Sequence, residues 1–467
     1  MLNSVLTYLN SGAAIVVVLG LCLLCHEAGH FLVAKLSGMH VEEFALGFGR
    51  ALLRRRRGET VYRLNIFPVG GYVRIAGMEP GAEFVVRGFH TRPRWQGALV
   101  IVAGSVANIL LAIVLFTAVT AWQGVPNPDD QGIYISKVAA NSPAQRAGLR
   151  RGDCIVGVDG QTHSLELTAV RSGAGQKAGL KKDYIIERVD GAEVSTPIEM
   201  LAALRRAKGG KAAVMVLDLN ATSIRDQEKV LSLPVPPGLG QVADQDAQQA
   251  LQRSYGVQFA PLTQSALVGY IAARPHRQVT VSVRRDGALL ALPALTEVGH
   301  GRYTARDAQG TLYSRIREIG RIGVVLRGAT QPVGPVQALK LGVLSTVGSA
   351  ATVVASVQAM LRHEVEAELA GPVAIMAISA ERARIGWDAV LSWGGIISSI
   401  LAVMNLFPFP PFDGFRIVLL GFEAIIRRRV SPRLELAVSI LGFAFVMLLF
   451  VALTYKDVSN LVRYGTP

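Results

Sequence analysis

His26-Glu27-Ala28-Gly29-His30 lies inside an apolar run from about residue 5 to 36, and its reading decides what the rest of the chain has to be. On a helix, positions i and i+4 share a face. His26 and His30 therefore reach one Zn²⁺ at about 2.0–2.1 Å, with Glu27 beside them. The five-residue pattern alone arises by chance in soluble helices. Inside a membrane span, however, ionisable side chains are costly and functional, and three within five residues require a compensating partner. The bland alternative is a pair of packed histidines bonded across a helix bundle.

The composition agrees with a span. The chain has 467 residues, 51% hydrophobic and 18% charged, with mean hydropathy +0.37. Soluble domains run at roughly a quarter charged, so a purely soluble, disordered or collagen-like protein is excluded. Cys22, Cys25 and Cys154 cannot form a disulfide framework. The net charge of +14 would suggest nucleic acid in a soluble protein. Here the clusters Arg54–Arg57 and Arg427–Arg429 flank apolar runs, so charge reports topology and no nucleic-acid partner is expected. The first apolar run has neither a basic leader nor a small-residue cleavage site, so a cleaved signal peptide is not expected.

Spanning takes about 20 mainly apolar residues. Five stretches qualify by length: 5–36, 97–122, 341–361, 389–412 and 436–455. The third is rich in Ser, Thr, Gly and Ala and is followed by Arg362, His363, Glu364, Glu366 and Glu368, which reads as a surface-lying or buried amphiphilic helix. Eleven Lys/Arg between Lys35 and Arg94, and five between Arg416 and Arg433, place both segments in the cytoplasm. Four transmembrane helices result, with both termini and a long insert, from about 124 to 386, on the outer side.

That insert holds a duplication. Residues 147–160 (AGLRRGDCIVGVDG) align without gaps to 178–191 (AGLKKDYIIERVDG). Each copy reads as a short helix ending in Gly, a strand and an Asp-Gly turn. Residues 197–207 have helical spacing, 211–219 alternate like a strand, and 279–284 pairs with 289–295 around Asp286-Gly287. The pattern resembles PDZ domains, two of them interleaved or permuted, within 124–300. Residues 225–256, with Pro234, Pro236-Pro237-Gly238 and a Gln/Asp/Ala tract, read as a linker, and 301–386 as an outer connector.

Two histidines leave a tetrahedral zinc one protein ligand short. Asp413, in Asn405-Leu-Phe-Pro-Phe-Pro-Pro-Phe-Asp-Gly414, is the one charge between Asp388 and Arg416. Its prolines break a helix where irregular backbone is tolerated only if protein buries it or it lines a cavity. Read alone, this is a helix-terminating loop; read beside the histidines, Asp413 is the missing ligand. First and third spans that both run inward, with 341–361 not crossing, bring His26, His30 and Asp413 to one depth.

These segments, with Gly47-Phe-Gly49, Phe67-Pro-Val-Gly-Gly-Tyr-Val73, Ala103-Gly104…Asn108, Gly320-Arg-Ile-Gly323 and Gly371-Pro372, resemble the site-2 protease family of intramembrane zinc proteases along essentially the whole chain. The resemblance implies a zinc metalloendopeptidase of bacterial inner membranes with Glu27 as general base and His26, His30 and Asp413 on zinc. It further implies that Asn405, Pro408, Gly47 and Gly49 contact substrate, and that 37–96 includes a membrane-dipping β-hairpin able to bind substrate as an added strand. Expected partners are membrane lipid, single-pass membrane proteins such as anti-sigma factor stubs or remnant signal peptides, and an upstream site-1 protease that trims them. Departures are Phe415-Arg416 in place of Gly-His, Ser105 in place of Pro and Ile400 in place of Asn. They touch substrate positioning and leave the metal ligands intact.

Two other classes compete. A PDZ-type binding protein with a vestigial anchor would be expected to lose a ligand or the base, and all four groups are present. A metal transporter would need ligands from face to face, and they occur only near the cytoplasmic one.

Overall fold

A computed structural model describes residues 2–79, 85–127, 129–130, 132–171, 173–207, 209–218, 228–306, 312–362, 369–428 and 430–464. The chain divides into two compact units. The first comprises Met1–Val125, Gln331–Arg362 and Ala367–Pro467, and the second Pro126–Thr330 with 363–366.

The first unit begins with helix α1 (Leu2–Leu36). Strands β1 (Val41–Arg57) and β2 (Thr60–Ile75) follow, then α2 (Arg94–Gln123). The hairpin differs from a plain two-stranded ribbon. Leu46 pairs with both Gly71 and Leu64, and Leu64 pairs with both Leu46 and Leu53, so each strand folds on itself. Four arms result, in the order 71–75, 41–48, 60–66 and 51–57. The bends fall where Gly47, Gly49 and Gly70 have φ of 80°, 91° and 97°, a backbone region that side chains with a Cβ avoid. Near the bends Phe48, Leu52, Leu53 and Ile66 are exposed.

The second unit has two cores, one nested in the other. The outer module's sheet takes β3 (Ile133–Val138), β4 (Cys154–Val158), β11 (Gln278–Arg285), β12 (Ala288–Leu295) and β15 (Val324–Gly328). After β4 the chain builds the inner module from β5 (His163–Val170), β6 (Tyr184–Val189), β7 (Ala192–Glu193), β8 (Lys211–Asp218), β9 (Glu228–Pro234) and β10 (Val257–Pro261), then returns. Between β12 and β15 in the chain, β13 (Glu297–Arg306) and β14 (Leu312–Arg321) form their own hairpin. The duplicated segments occupy like places: α3 (Pro143–Arg146) leads into β4, and α4 (Ala174–Lys177) into β6. Asp159 and Asp190, with φ of 46° and 48°, turn each strand together with the following Gly.

The expected linker is corrected. Described residues 228–256 form β9 and, after two short turns, α6 (Ala247–Tyr255), which together with α5 (Pro197–Arg206) pack the inner core. Leu233, Leu251 and Tyr255 are fully buried there. Alternation in β9 and the i, i+4 spacing of Leu251 and Tyr255 outweigh the Pro/Gly punctuation. Residues 225–227 lie outside the described residues. Helix α7 (Gln264–Ala272) closes the outer module.

The chain returns to the first unit through α8 (Pro335–Leu361), α9 (Pro372–Ile385), α10 (Trp387–Asn405), α11 (Asp413–Ile426) and α12 (Pro432–Tyr464). The charged stretch 363–368 lies outside the described residues. Residues 414–426, expected as a basic loop, are helical: Val418, Phe422 and Ile425 recur at helical spacing on an exposed face. The expected tail from 457 continues α12 to Tyr464.

Among the described residues five helices are long and apolar enough to cross a membrane: Val18–Leu36, Arg94–Gln123, Pro335–Leu361, Trp387–Asn405 and Pro432–Arg463. Gly394 of α10 faces Val18 of α1, and Asp413 faces His26. The two helices therefore run the same way. Gln123, ending α2, bonds Asp388, beginning α10, at 2.6 Å, and Gly342 of α8 lies against Thr117 and Ile113. Both α8 and α10 thus start at the Gln123 end of α2.

Candidate metal centre

The site is built on α1, whose 3.6-residue repeat puts His26 and His30 on the face turned to α2. Both are buried, and their rings meet edge to face with centroids 4.7 Å apart. Close approach of the helices needs glycine twice. A Cβ on Gly29 would stand 2.3 Å from the Ala103 carbonyl oxygen, and one on Gly104 2.5 Å from Nε2 of His30. His30 donates from Nδ1 to the Val100 carbonyl at 2.7 Å. That bond fixes its tautomer and leaves Nε2 as a lone pair.

Asp413 arrives by a chain reversal. Helix α10 ends at Asn405, the prolines prevent its continuation, and Asp413 opens α11. A Cβ on Gly414 would lie 2.2 Å from the Leu406 carbonyl oxygen, so glycine is what allows the return to fold so tightly. Oδ2 of Asp413 is 3.1 Å from Nε2 of His26 and 3.1 Å from Nε2 of His30, and the two nitrogens are 3.1 Å apart. With bonds of about 2.05 Å, ligand atoms on a tetrahedral zinc are about 3.3 Å apart. The donor set fits: two imidazole nitrogens and a carboxylate oxygen close a triangle, an arrangement that a shared cation satisfies. Among the described residues these three form the one cluster able to hold a metal in this way.

Glu27 is not part of the triangle. It faces the sheet, where a Cβ on Gly71 would sit 3.2 Å from its Cγ. The 71–75 arm, an edge of the four, thus runs past the carboxylate. The other end of the sheet is tied to the end of α1: Glu59 accepts from Lys35 at 2.6 Å and lies 3.1 Å from Nδ1 of His40 and 3.0 Å from Arg87. The Lys35 bond first, then the one to His40 and the Arg87 charge, hold its carboxyl down at about 2.

The remaining expected site residues are not gathered at the triangle. Asn405 is half-buried at the end of α10 and Pro408 is exposed in the turn leading to Asp413. Gly47 and Gly49 shape the bend of β1, where the Gly47 carbonyl accepts from Asn65 at 2.8 Å. Sequence reasoning missed Gly104 and the Val100 carbonyl as parts of the centre. A small residue inside an apolar span was the available signal for Gly104; a backbone acceptor leaves none.

The chain is similar to known proteins along nearly its whole length. The chain is 28% identical over 487 residues to the regulator of sigma-E protease RseP of Escherichia coli K12, covering 98% of this chain and all of that one. It is 28% identical over 478 residues to the RseP of Salmonella typhimurium, covering 96% and 98%. It is 25% identical over 498 residues to a Thermotoga maritima protein named "Putative zinc metalloprotease", covering 94% and 97%. The profile of peptidase family M50 matches residues 14–449, a stretch that holds both histidines, Glu27 and Asp413, and the chain therefore belongs to peptidase family M50.

Proposed function

We propose that this protein is a zinc-dependent intramembrane protease of a bacterial inner membrane, cutting peptide bonds within transmembrane segments of membrane proteins already trimmed on their outer side. The observation that carries the reading is the 3.1 Å triangle of His26, His30 and Asp413 with Glu27 beside it in an apolar helix bundle. Four crossings fit it best. Helices α8 and α10 start at the same end of α2, so the chain between them makes no net crossing, and the parallel course of α1 and α10 puts histidines and aspartate at one depth. The basic segments 35–94 and 416–433 assign that depth to the cytoplasmic side.

His26, His30 and Asp413 would hold the zinc, which when bound would supply Lewis acidity, enough to lower the pKa of a water to about 7. Glu27 takes the water proton as general base and returns it to the departing amine. The protein also has to open its substrate, because carbonyls in a helix are already hydrogen-bonded. The 71–75 arm beside Glu27 offers an edge for an unwound segment to join as an added strand. Exposed apolar Phe48, Leu52, Leu53 and Ile66 near the bends suit a sheet that dips into lipid. Asn405, Pro408, Gly47 and Gly49 line the substrate's route in this reading. Anti-sigma factor stubs and remnant signal peptides, trimmed by a site-1 protease, are the substrate classes.

The insert acts as a size filter that turns away substrates with bulky outer domains. Deleting 130–300 with a flexible splice is expected to release cleavage of untrimmed substrate; loss of cleavage of trimmed substrate would assign recruitment instead. For the chemistry, Glu27→Gln is expected to keep about one zinc per chain while slowing cleavage of a transmembrane substrate by at least about 100-fold, because general-base transfer is removed. Cleavage near the wild-type rate would refute the role of Glu27.

A further inference from the structure

Helix α2 carries two buried polar side chains that the metal centre as described does not use. Asn108 has no exposed surface, and neither its amide nitrogen nor its oxygen meets a partner; Ser105 is 1% exposed and its hydroxyl is also unpartnered. A further unpartnered buried atom belongs to the centre itself: Nδ1 of His26. Gly104 brings α1 and α2 together at this level. Gly104 faces the Cε1 edge of His26, at 2.7 Å from a Cβ placed there, and Nδ1 is the ring atom next to Cε1. Asn108 follows Gly104 by four residues and Ser105 by three, so it sits one helical turn away on the same inner face. The main-chain oxygen of Asn108 accepts from the buried Ser398 of α10 at 2.8 Å, which holds this turn of α2 against α10.

We propose that Asn108, with Ser105, is a positioning residue for the metal centre, binding a buried water against Nδ1 of His26. The two histidines differ in their support. Nδ1 of His30 is held by the Val100 carbonyl, whereas Nδ1 of His26 needs an acceptor for its proton if Nε2 is to face the metal as a lone pair. A water accepts a hydrogen bond from Nδ1–H and one from the Asn108 amide, and donates to the Asn108 oxygen and the Ser105 hydroxyl. Two to four polar partners are what a buried water requires. In an apolar bundle a leucine would fill the same volume without stranding a polar group, so packing alone does not account for the amide.

The inference rests on the zinc reading, and its test keeps the two apart. Full-length protein in detergent is compared as wild type, Asn108→Leu, Asn108→Ser and Ser105→Ala, measuring zinc affinity by chelator competition and the visible spectrum of the cobalt-loaded protein. Asn108→Leu is expected to weaken zinc about 10- to 100-fold, the usual effect of removing such support, and to shift the cobalt bands. Asn108→Ser, which keeps a hydroxyl and leaves room for water, is expected to bind more tightly than Asn108→Leu. A purely packing role predicts the reverse order, because leucine fills the site and serine leaves a cavity. Wild-type affinity in Asn108→Leu, or weaker binding by serine than by leucine, overturns the proposal. If Asn108→Leu does not fold, Ser105→Ala decides: unchanged affinity and an unchanged cobalt spectrum overturn it. Wild-type protein that binds no zinc removes the metal reading itself.

Discussion

Replacing Gly104 by alanine tests the centre without touching a ligand. The new Cβ would lie 2.5 Å from Nε2 and 2.6 Å from Cε1 of His30, and 2.7 Å from Cε1 of His26. Ordinary contact begins near 3.4 Å, so the rings or the α2 backbone must give by about 0.9 Å. The backbone cannot retreat freely, because the Val100 carbonyl is bonded to His30 and the Ala103 oxygen packs on Gly29. The rings therefore move, and Nε2 of His30 leaves a triangle whose edges are only 3.1 Å. Overpacking of this kind costs about 1–3 kcal/mol, which corresponds to roughly 5- to 150-fold in zinc affinity if it falls on the bound state. Chelator competition on purified protein measures it. Gly348→Ala on α8, where a Cβ meets nothing within 4 Å, is the control and should bind like wild type. Zinc affinity within about twofold of wild type for Gly104→Ala, where at least fivefold is expected, would refute the close-approach reasoning.

Further outcomes follow for the sheet and the insert. Gly47→Val places a β-branched residue at φ 80°, costing about 1–2 kcal/mol; it should impair cleavage of a transmembrane substrate while leaving bound zinc at the wild-type level. In the outer module, Arg285 grips the buried Asp153 through two bonds of 2.7 Å. Asp153→Ala should destabilise that module by about 3 kcal/mol in denaturant melts. The Arg285 guanidinium holds the Asp153 carboxyl below its ordinary value of 3.8. This stabilisation is therefore complete above that value and is lost as pH falls below it, a slope that Asp153→Asn should flatten.

What the sequence made legible depended on whether the signal was local. His26 and His30 share a helix face through their spacing alone, and the hairpin at Asp286-Gly287 announces itself through alternation on either side of a turn dipeptide. The bent sheet was less visible, because a glycine that permits a bend looks the same as one in any loop. The pairing of Leu64 with both Leu46 and Leu53 is what shows that β1 folds on itself. Residues 228–256 were obscured for a related reason: three prolines and five glutamines catch the eye, while a few residues such as Leu233, Leu251 and Tyr255 supply the burial. In the helical stretch 414–426, arginines at Arg416 and Arg427 to Arg429 masked the apolar periodicity between them.

The candidate centre divides along the same line. Asp413 could be matched to histidines almost four hundred residues away because zinc demands a third donor and few charges remain near a span. Gly104 was marked only as part of a segment resembling the family, with no chemical demand to tie it to the histidines, because its importance is the absence of an atom beside the His30 ring. Nor does composition reveal why the aspartate follows a proline-rich reversal. Helices α1 and α10 run the same way, so a ligand at the far end of α10 reaches the histidines only if the chain turns back there. Asn405 ends the helix, the prolines keep it ended, and Gly414 lets the next helix start against the Leu406 carbonyl. The reversal is thus part of what brings the three donors together: a longer α10 would carry Asp413 past the histidines, and a bulkier residue at 414 would hold it away from them.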